Sequence, residues 1–147
     1  MTAGPASEPS LGFLLADVVR LMRADFRTRA TGLKLTPALA KLLYYVARRP
    51  GCRQAELAAF LELTPVTLGR MIGRLARQGY VRRAHDPADR RARRIHLAPP
   101  AAGVLSRMDR AIALTSARAT RGLRAADHQS LLGLLSRLRT NLGGAGD

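Results

Sequence analysis

Residues 63–83, LTPVTLGRMIGRLARQGYVRR, run directly into residues 84–103, AHDPADRRARRIHLAPPAAG. The first stretch has a helical period. Thr64 followed by Pro65 is an N-cap and first-turn signal. Leu68, Met71, Ile72 and Leu75 then fall on one side at 100° per residue, and Gly79 stops the helix. Beyond Gly79 the period drops to two. Val81 and Arg83 alternate with Arg82, and Ile95 and Leu97 alternate with Arg94 and His96. Asp86-Pro87-Ala88-Asp89 between them is turn chemistry. The pair therefore reads as a helix joined to a β-hairpin with a charged tip.

The flanking sequence places this unit. Upstream, residues 54–61 carry Leu57, Ala58 and Leu61 as a short helix. Residues 37–49 form another, opened by Thr36-Pro37, closed by Arg49-Pro50-Gly51, with Leu39, Leu42, Leu43 and Val46 inward. Residues 11–29 space Leu11, Leu14, Leu15, Val18, Val19, Met22 and Phe26 by three and four. Downstream, Pro99-Pro100 starts a helix of about 100–122 with Val104, Leu105, Met108 and Ile112 on one face. Asp127 can cap a last helix striped by Leu131, Leu134, Leu135, Leu138 and Leu142. Residues 1–10 and 143–147 read as flexible tails. The order is four helices, a hairpin and two helices. Two short helices joined by a tight turn and followed by a hairpin make the winged helix-turn-helix pattern, mostly α (α+β).

A chain of 147 residues with 47% apolar content suits one domain with a real core. Aromatic residues are only 4%, so aliphatic side chains must build that core. The net charge is +15, and 23 of the 25 basic residues are arginine. Such an excess calls for a polyanion, most simply nucleic acid, or for an anionic membrane surface. The first ten residues lack the basic start of a secretory signal, and no apolar run approaches the roughly 18 residues of a membrane span. One cysteine, Cys52, cannot form an intrachain disulfide. A cytoplasmic protein without a membrane partner is expected.

The charge is not evenly spread. Opposite the core stripe of the 64–78 helix lie Thr67, Arg70, Arg74 and Arg77. Pro65, Val66, Thr67 and Gly69 are small enough to let the helix start approach a groove floor, where free N–H groups also welcome phosphate. Residues 70–94 hold nine arginines against two aspartates. An isolated arginine stripe is usually a solvated face. Here helix and hairpin bring the charge to one surface, which favours DNA contact.

Residues 63–103, with Asp86, Asp89-Arg90-Arg91, Ile95 and Leu97 in the hairpin, Gly103 beyond it and Leu75 and Gly79 closing the helix, resemble the MarR (multiple antibiotic resistance regulator) family of bacterial transcription factors. The resemblance spans about residues 11–142. It implies an obligate homodimer in which 11–35 and 99–142 supply interlocking dimerisation helices and 36–98 is the winged helix-turn-helix lobe, all within one domain. It also implies a wing entering the minor groove through Arg90, with Arg91 and Arg93 beside it. Asp86 and Asp89 would then orient neighbouring guanidiniums; the alternative is that both acids only make turn and cap hydrogen bonds. The DNA-binding set is thus Thr64, Pro65, Val66, Thr67, Gly69, Arg70, Arg74, Arg77, Arg90, Arg91 and Arg93. Many relatives bind phenolic or carboxylate ligands in a cleft between the dimer core and the DNA-binding lobe. Arg20 or Arg23 with Tyr44 or Tyr45 could line one here; the alternative is one tyrosine in the core and one on the surface. Two departures stand out. The family often has an acid where Gly73 stands, and usually threonine where Ala98 stands.

Nothing in the chain suggests catalysis. No nucleophile–histidine–acid set or paired carboxylate stands out, and Gly69 and Gly73 lie inside a helix rather than in a phosphate loop. His85, His96 and His128 are not at metal-ligand spacing, so neither metal nor cofactor is expected, and Cys52 reads as a structural thiol. The expected protein is a sequence-specific regulator rather than an enzyme, a ligand-relieved repressor on a pseudo-palindromic operator. The alternative is an architectural protein that coats nucleic acid without specificity.

Overall fold

The computed structural model describes residues 10–144. The expected tails lie outside these residues except at their inner ends, and both of those ends are folded. Ser10 caps the first helix by accepting from the Phe13 N–H at 3.4 Å. Gly143, at φ +82°, ends the last helix in the left-handed conformation that glycine adopts most cheaply.

The elements are α1 (Leu11–Arg29), α2 (Pro37–Arg48), α3 (Gln54–Phe60), α4 (Pro65–Arg77), β1 (Val81–His85), β2 (Arg93–Leu97), α5 (Ala101–Ala119) and α6 (Ala125–Asn141). Thr36 and Thr64 accept from the N–H groups of Leu39 and Thr67, so each Thr-Pro pair starts a helix. The last helix starts differently from expectation. Arg124 is its cap residue, and Asp127 sits one turn in, accepting from the Arg124 backbone N–H and guanidinium. The fifth helix lacks a side-chain cap, as Ala98 implied, and Pro100 sets its start.

The hairpin pairs antiparallel, from Val81 opposite Leu97 to His85 opposite Arg93. Its second strand has a neighbour on the other edge too. The Gly51 N–H donates to the Ile95 carbonyl, the Ile95 N–H to the Cys52 carbonyl, and Arg53 bridges Arg94. The turn after α2 is therefore pinned to the free edge of β2 by one isolated bridge. Glycine suits position 51: its φ is +71°, and a Cβ there would crowd the His96 ring at 3.1 Å. The tight turn between α3 and α4 also needs a left-handed residue, and Glu62 takes it at φ 53°.

One aliphatic core holds the lobe together. Leu39, Leu42, Leu43 and Val46 of α2 meet Leu57 of α3, Leu68, Ile72 and Leu75 of α4, Val81 of β1 and Ile95 of β2. Truncating one of these leucines to alanine costs about 2–5 kcal/mol. The outer helices are different. Neither α1 nor α6 buries a single residue within the chain. The first is joined to α5 by a polar clamp, where Asp25 accepts from Arg29, from Thr115 Oγ1 at 2.8 Å and from Arg118 at 2.6 Å. These partners, Arg29 first and Thr115 next, hold the Asp25 carboxyl at about 2. Among the described residues, no helix is long and apolar enough to cross a membrane.

Candidate nucleic-acid interface

The core stripe of α4 fixes what the rest of that helix can present. With Leu68, Ile72 and Leu75 buried, Arg70, Arg74 and Arg77 emerge on the opposite side, and none has a hydrogen-bonded or ionic partner among the described residues. At the helix start Val66 is 64% exposed, an apolar group offered to solvent without local reason. The Thr64 hydroxyl donates to Thr67 Oγ1 at 2.9 Å while accepting from the Thr67 N–H, leaving the Thr67 proton free to point outward. Pro65 and Gly69 add no bulk around this face.

Beside α4 stands the wing. Arg90 is exposed at its tip without a partner among the described residues. The Arg91 backbone N–H donates to Asp89 Oδ1 at 2.9 Å, and the Arg91 side chain is exposed. Arg93 contacts the ring of its cross-strand partner His85. The two aspartates divide the role expected of both. Asp89 makes only the turn bond and holds no guanidinium among the described residues. Asp86 is buried and holds two, but neither belongs to Arg90, Arg91 or Arg93. Its Oδ2 accepts from Arg53 Nε at 2.8 Å and from Arg94 Nε at 2.9 Å, and its Oδ1 takes the Ala88 N–H at 2.8 Å. Arg94 also reaches the Gly51 carbonyl at 2.9 Å. One carboxylate thus ties the wing base to the N-cap of α3 and to the turn after α2. Arg53, the Ala88 N–H and Arg94 hold Asp86 at about 2, against the ordinary 3.8. Sequence reasoning missed Arg53 and Arg94. Residues 53 and 86 meet only through the fold, and no periodicity announces that contact.

The postulated ligand residues also divide. A cleft of about 450 Å3 between α1, α2 and α5 is lined by Arg23, Phe26, Arg27, Lys41, Tyr44, Met108 and Ile112. Arg23 and Tyr44 are therefore together. Arg20 is turned along α1 to Asp17, at 2.6 Å, and lies outside this lining. Tyr45 also lies outside, packed edge-on against Phe60 with ring centroids 4.9 Å apart. Cys52 is half-buried, and burial raises its thiol pKa, which suits a structural role. Among the described residues, no cluster of three or more His, Cys, Asp or Glu could hold a metal ion.

A winged helix-turn-helix with an acid-free arginine face on the second helix of the motif is the architecture of a DNA-binding transcriptional regulator. Comparison with known proteins agrees. A sequence profile of the MarR family matches residues 33–92. A Thauera aromatica protein described as a transcriptional regulatory protein for the hcr operon is 30% identical over 129 residues, 87% of this chain and 78% of that one. The solved transcriptional regulator PA3341 is 31% identical, with a TM-score of 0.79 over 91% of this chain and 98% of that one. A mutant MarR from E. coli, crystallised with operator DNA, shares the fold at a TM-score of 0.73 and 24% identity, over 87% of this chain and 92% of that one. The chain belongs to the MarR family.

Proposed function

We propose that this protein is a homodimeric repressor that recognises a pseudo-palindromic operator and leaves it when a small phenolic or carboxylate molecule binds. The observation that carries the reading is the two-sidedness of the chain. The α4 face and wing offer unpaired arginines, while α1 and α6 offer apolar side chains with nothing among the described residues to cover them. Phe13 is 79% exposed, and Leu14, Leu21, Leu132 and Leu134 each exceed half. Faces of that kind mark an interface between chains. The operator-bound MarR relative, with the same fold, supports DNA as the partner on the opposite side.

In this reading Thr64, Pro65, Val66, Thr67, Gly69 and Arg70 approach the major-groove floor. Arg74 and Arg77 lie further along the helix against phosphate, and Arg90, with Arg91 and Arg93, serves the minor groove. Selection from random duplex DNA tests it. A dimer of this kind is expected to enrich two half-sites about 10–11 bp apart, whereas a coating protein would enrich none. On the selected site, Arg70→Ala is expected to cost about 1–3 kcal/mol and relax one base position. Arg74→Ala should weaken all duplexes alike and reduce the salt slope by about one. Equal loss for Arg70→Ala on selected and random DNA would remove base reading from that residue.

The cleft supports the effector part of the proposal. Arg23, Arg27 and Lys41 supply positive charge, and Phe26, Met108 and Ile112 supply apolar wall. The cleft lies between helices of the exposed apolar face and the lobe that carries α4. Salicylate, used as the probe, is expected to lower operator affinity, and Arg23→Ala is expected to blunt that response while sparing operator affinity without salicylate. A response unchanged by Arg23→Ala would move the effector elsewhere.

A further inference from the structure

Arg83, on the first wing strand, is placed unlike the other wing arginines. Its guanidinium lies against the outer face of α4, where Nη2 donates to the Gly69 carbonyl at 2.9 Å. There it joins Arg70, Arg74 and Arg77 around one groove, whose remaining walls are Val66, Gly69 and Gly73. The four arginines have no carboxylate partner among the described residues. The contact with Gly69 satisfies one N–H of a guanidinium that carries five, and it leaves the charge unneutralised. A Cβ on Gly73 would stand 3.7 Å from Arg77 Nη1 and 4.0 Å from Arg83 Nη2. A carboxylate at residue 73 would therefore reach either arginine, but the chain supplies none.

We propose that Arg83 is a DNA-contacting residue, held on the recognition helix by the Gly69 carbonyl, which joins Arg74 and Arg77 in taking the phosphate backbone of the duplex beside the base-facing Arg70. The carbonyl contact pre-orders a long side chain, so less rotamer freedom is lost when phosphate arrives. Four like charges around one groove cost self-repulsion in the free protein, and an anion relieves it. Gly73 is then a charge-setting position: with no side chain there, all four cations are left for the DNA. The inference rests on the α4 face meeting DNA, and the Arg74→Ala measurement tests that separately.

Two variants and one control decide the matter, each measured by titrating the full-length protein with the selected duplex at several salt concentrations. Arg83→Gln keeps a polar amide on the strand and removes the charge. Through the lost charge it is expected to weaken binding about tenfold at low salt and to reduce the salt slope by about 0.9, the loss of one phosphate contact, a slope that loss of the Gly69 contact alone would not move. Gly73→Asp should do the same by pairing with Arg83 or Arg77, with an unchanged or higher Tm. Gly73→Asn, of the same shape without the charge, should lose at least about fivefold less than Gly73→Asp. If Arg83→Gln and Gly73→Asp leave the salt slope at the parent value, Arg83 only ties the wing to the helix and the proposal fails. It fails equally if Gly73→Asn and Gly73→Asp weaken binding alike, since shape rather than charge would then matter.

Discussion

Asp86→Ala is expected to reduce operator affinity by at least about a hundredfold and to lower Tm by about 5–10 °C. The reason is what that carboxylate joins. The wing is a two-stranded ribbon, and such a ribbon is marginal alone. Its base is fixed by backbone pairing to residues 51–53 and by the bonds of Asp86 to Arg53, Arg94 and the Ala88 N–H. Without the carboxylate, two guanidiniums face each other uncompensated. Each is more than a third exposed, so water recovers part of the loss, which tempers the fall in Tm. The wing tip, beyond the backbone pairing, recovers nothing. Arg90 then samples orientations that the minor groove must select from, and affinity falls further than stability. Asp89→Asn is the contrast. It keeps an acceptor for the Arg91 N–H and removes a charge near phosphate, so binding equal to or tighter than the parent is expected. Asp86→Ala binding operator as the parent does, in a folded protein, would show that strand pairing alone fixes the wing.

The pH dependence follows with a definite sign. Asp86 and Asp25 are both held at about 2, below the ordinary 3.8. A carboxylate whose folded pKa is depressed binds protons more readily in the unfolded chain. Its contribution is fully present above the unfolded value and fades as pH falls from there through about 2. On these two groups, thermal stability should be flat from pH 5 to 8 and drop below pH 4. Asp86→Asn and Asp25→Asn should each flatten that acid limb, measured by Tm against pH.

Much of the architecture is legible because it rests on local rules. Thr36-Pro37 and Thr64-Pro65 begin helices, the apolar period marks their inward faces, and the change from a helical period to two at Tyr80 marks the wing. What the sequence hides is non-local. The pairing of residues 51–53 with β2 is one isolated bridge and two backbone hydrogen bonds, too short for any period to reveal. The partners of Asp86 are set by folding: both acids were expected to orient neighbouring guanidiniums, and no period in the sequence says that Asp86 holds Arg53 and Arg94. Arg83 was read as one strand residue among others, because only its packing on Gly69 brings it to α4. Tyr44 and Tyr45 adjoin in sequence, yet the helical turn sends one to the cleft and the other to Phe60.

Replacing Leu131 and Leu134 together by glutamate is expected to make the protein monomeric and to cost 10²–10⁴ in operator affinity, the range that linking two binding sites confers. Both residues lie on α6, a helix with no buried residue in the chain, and they are 41% and 57% exposed. On the homodimer proposed above, a second chain supplies the packing that this helix lacks among the described residues. Two glutamates in a dimer core would be charges taken from water without partners, at a cost no interface of this kind recovers. In a monomer the same residues face solvent and cost little, so the lobe of α2 to β2 should stay folded. Deleting residues 127–147 should act likewise, giving a monomer or an insoluble chain as α1 loses its cover. Light scattering reads the assembly and a duplex with one intact half-site reads the lobe. The glutamate variant should bind that half-site as well as the parent does, while losing the advantage of the second. A parent protein that scatters as a monomer at micromolar concentration would end the two-fold reading. The exposed leucines of α1 and α6 would then need another partner.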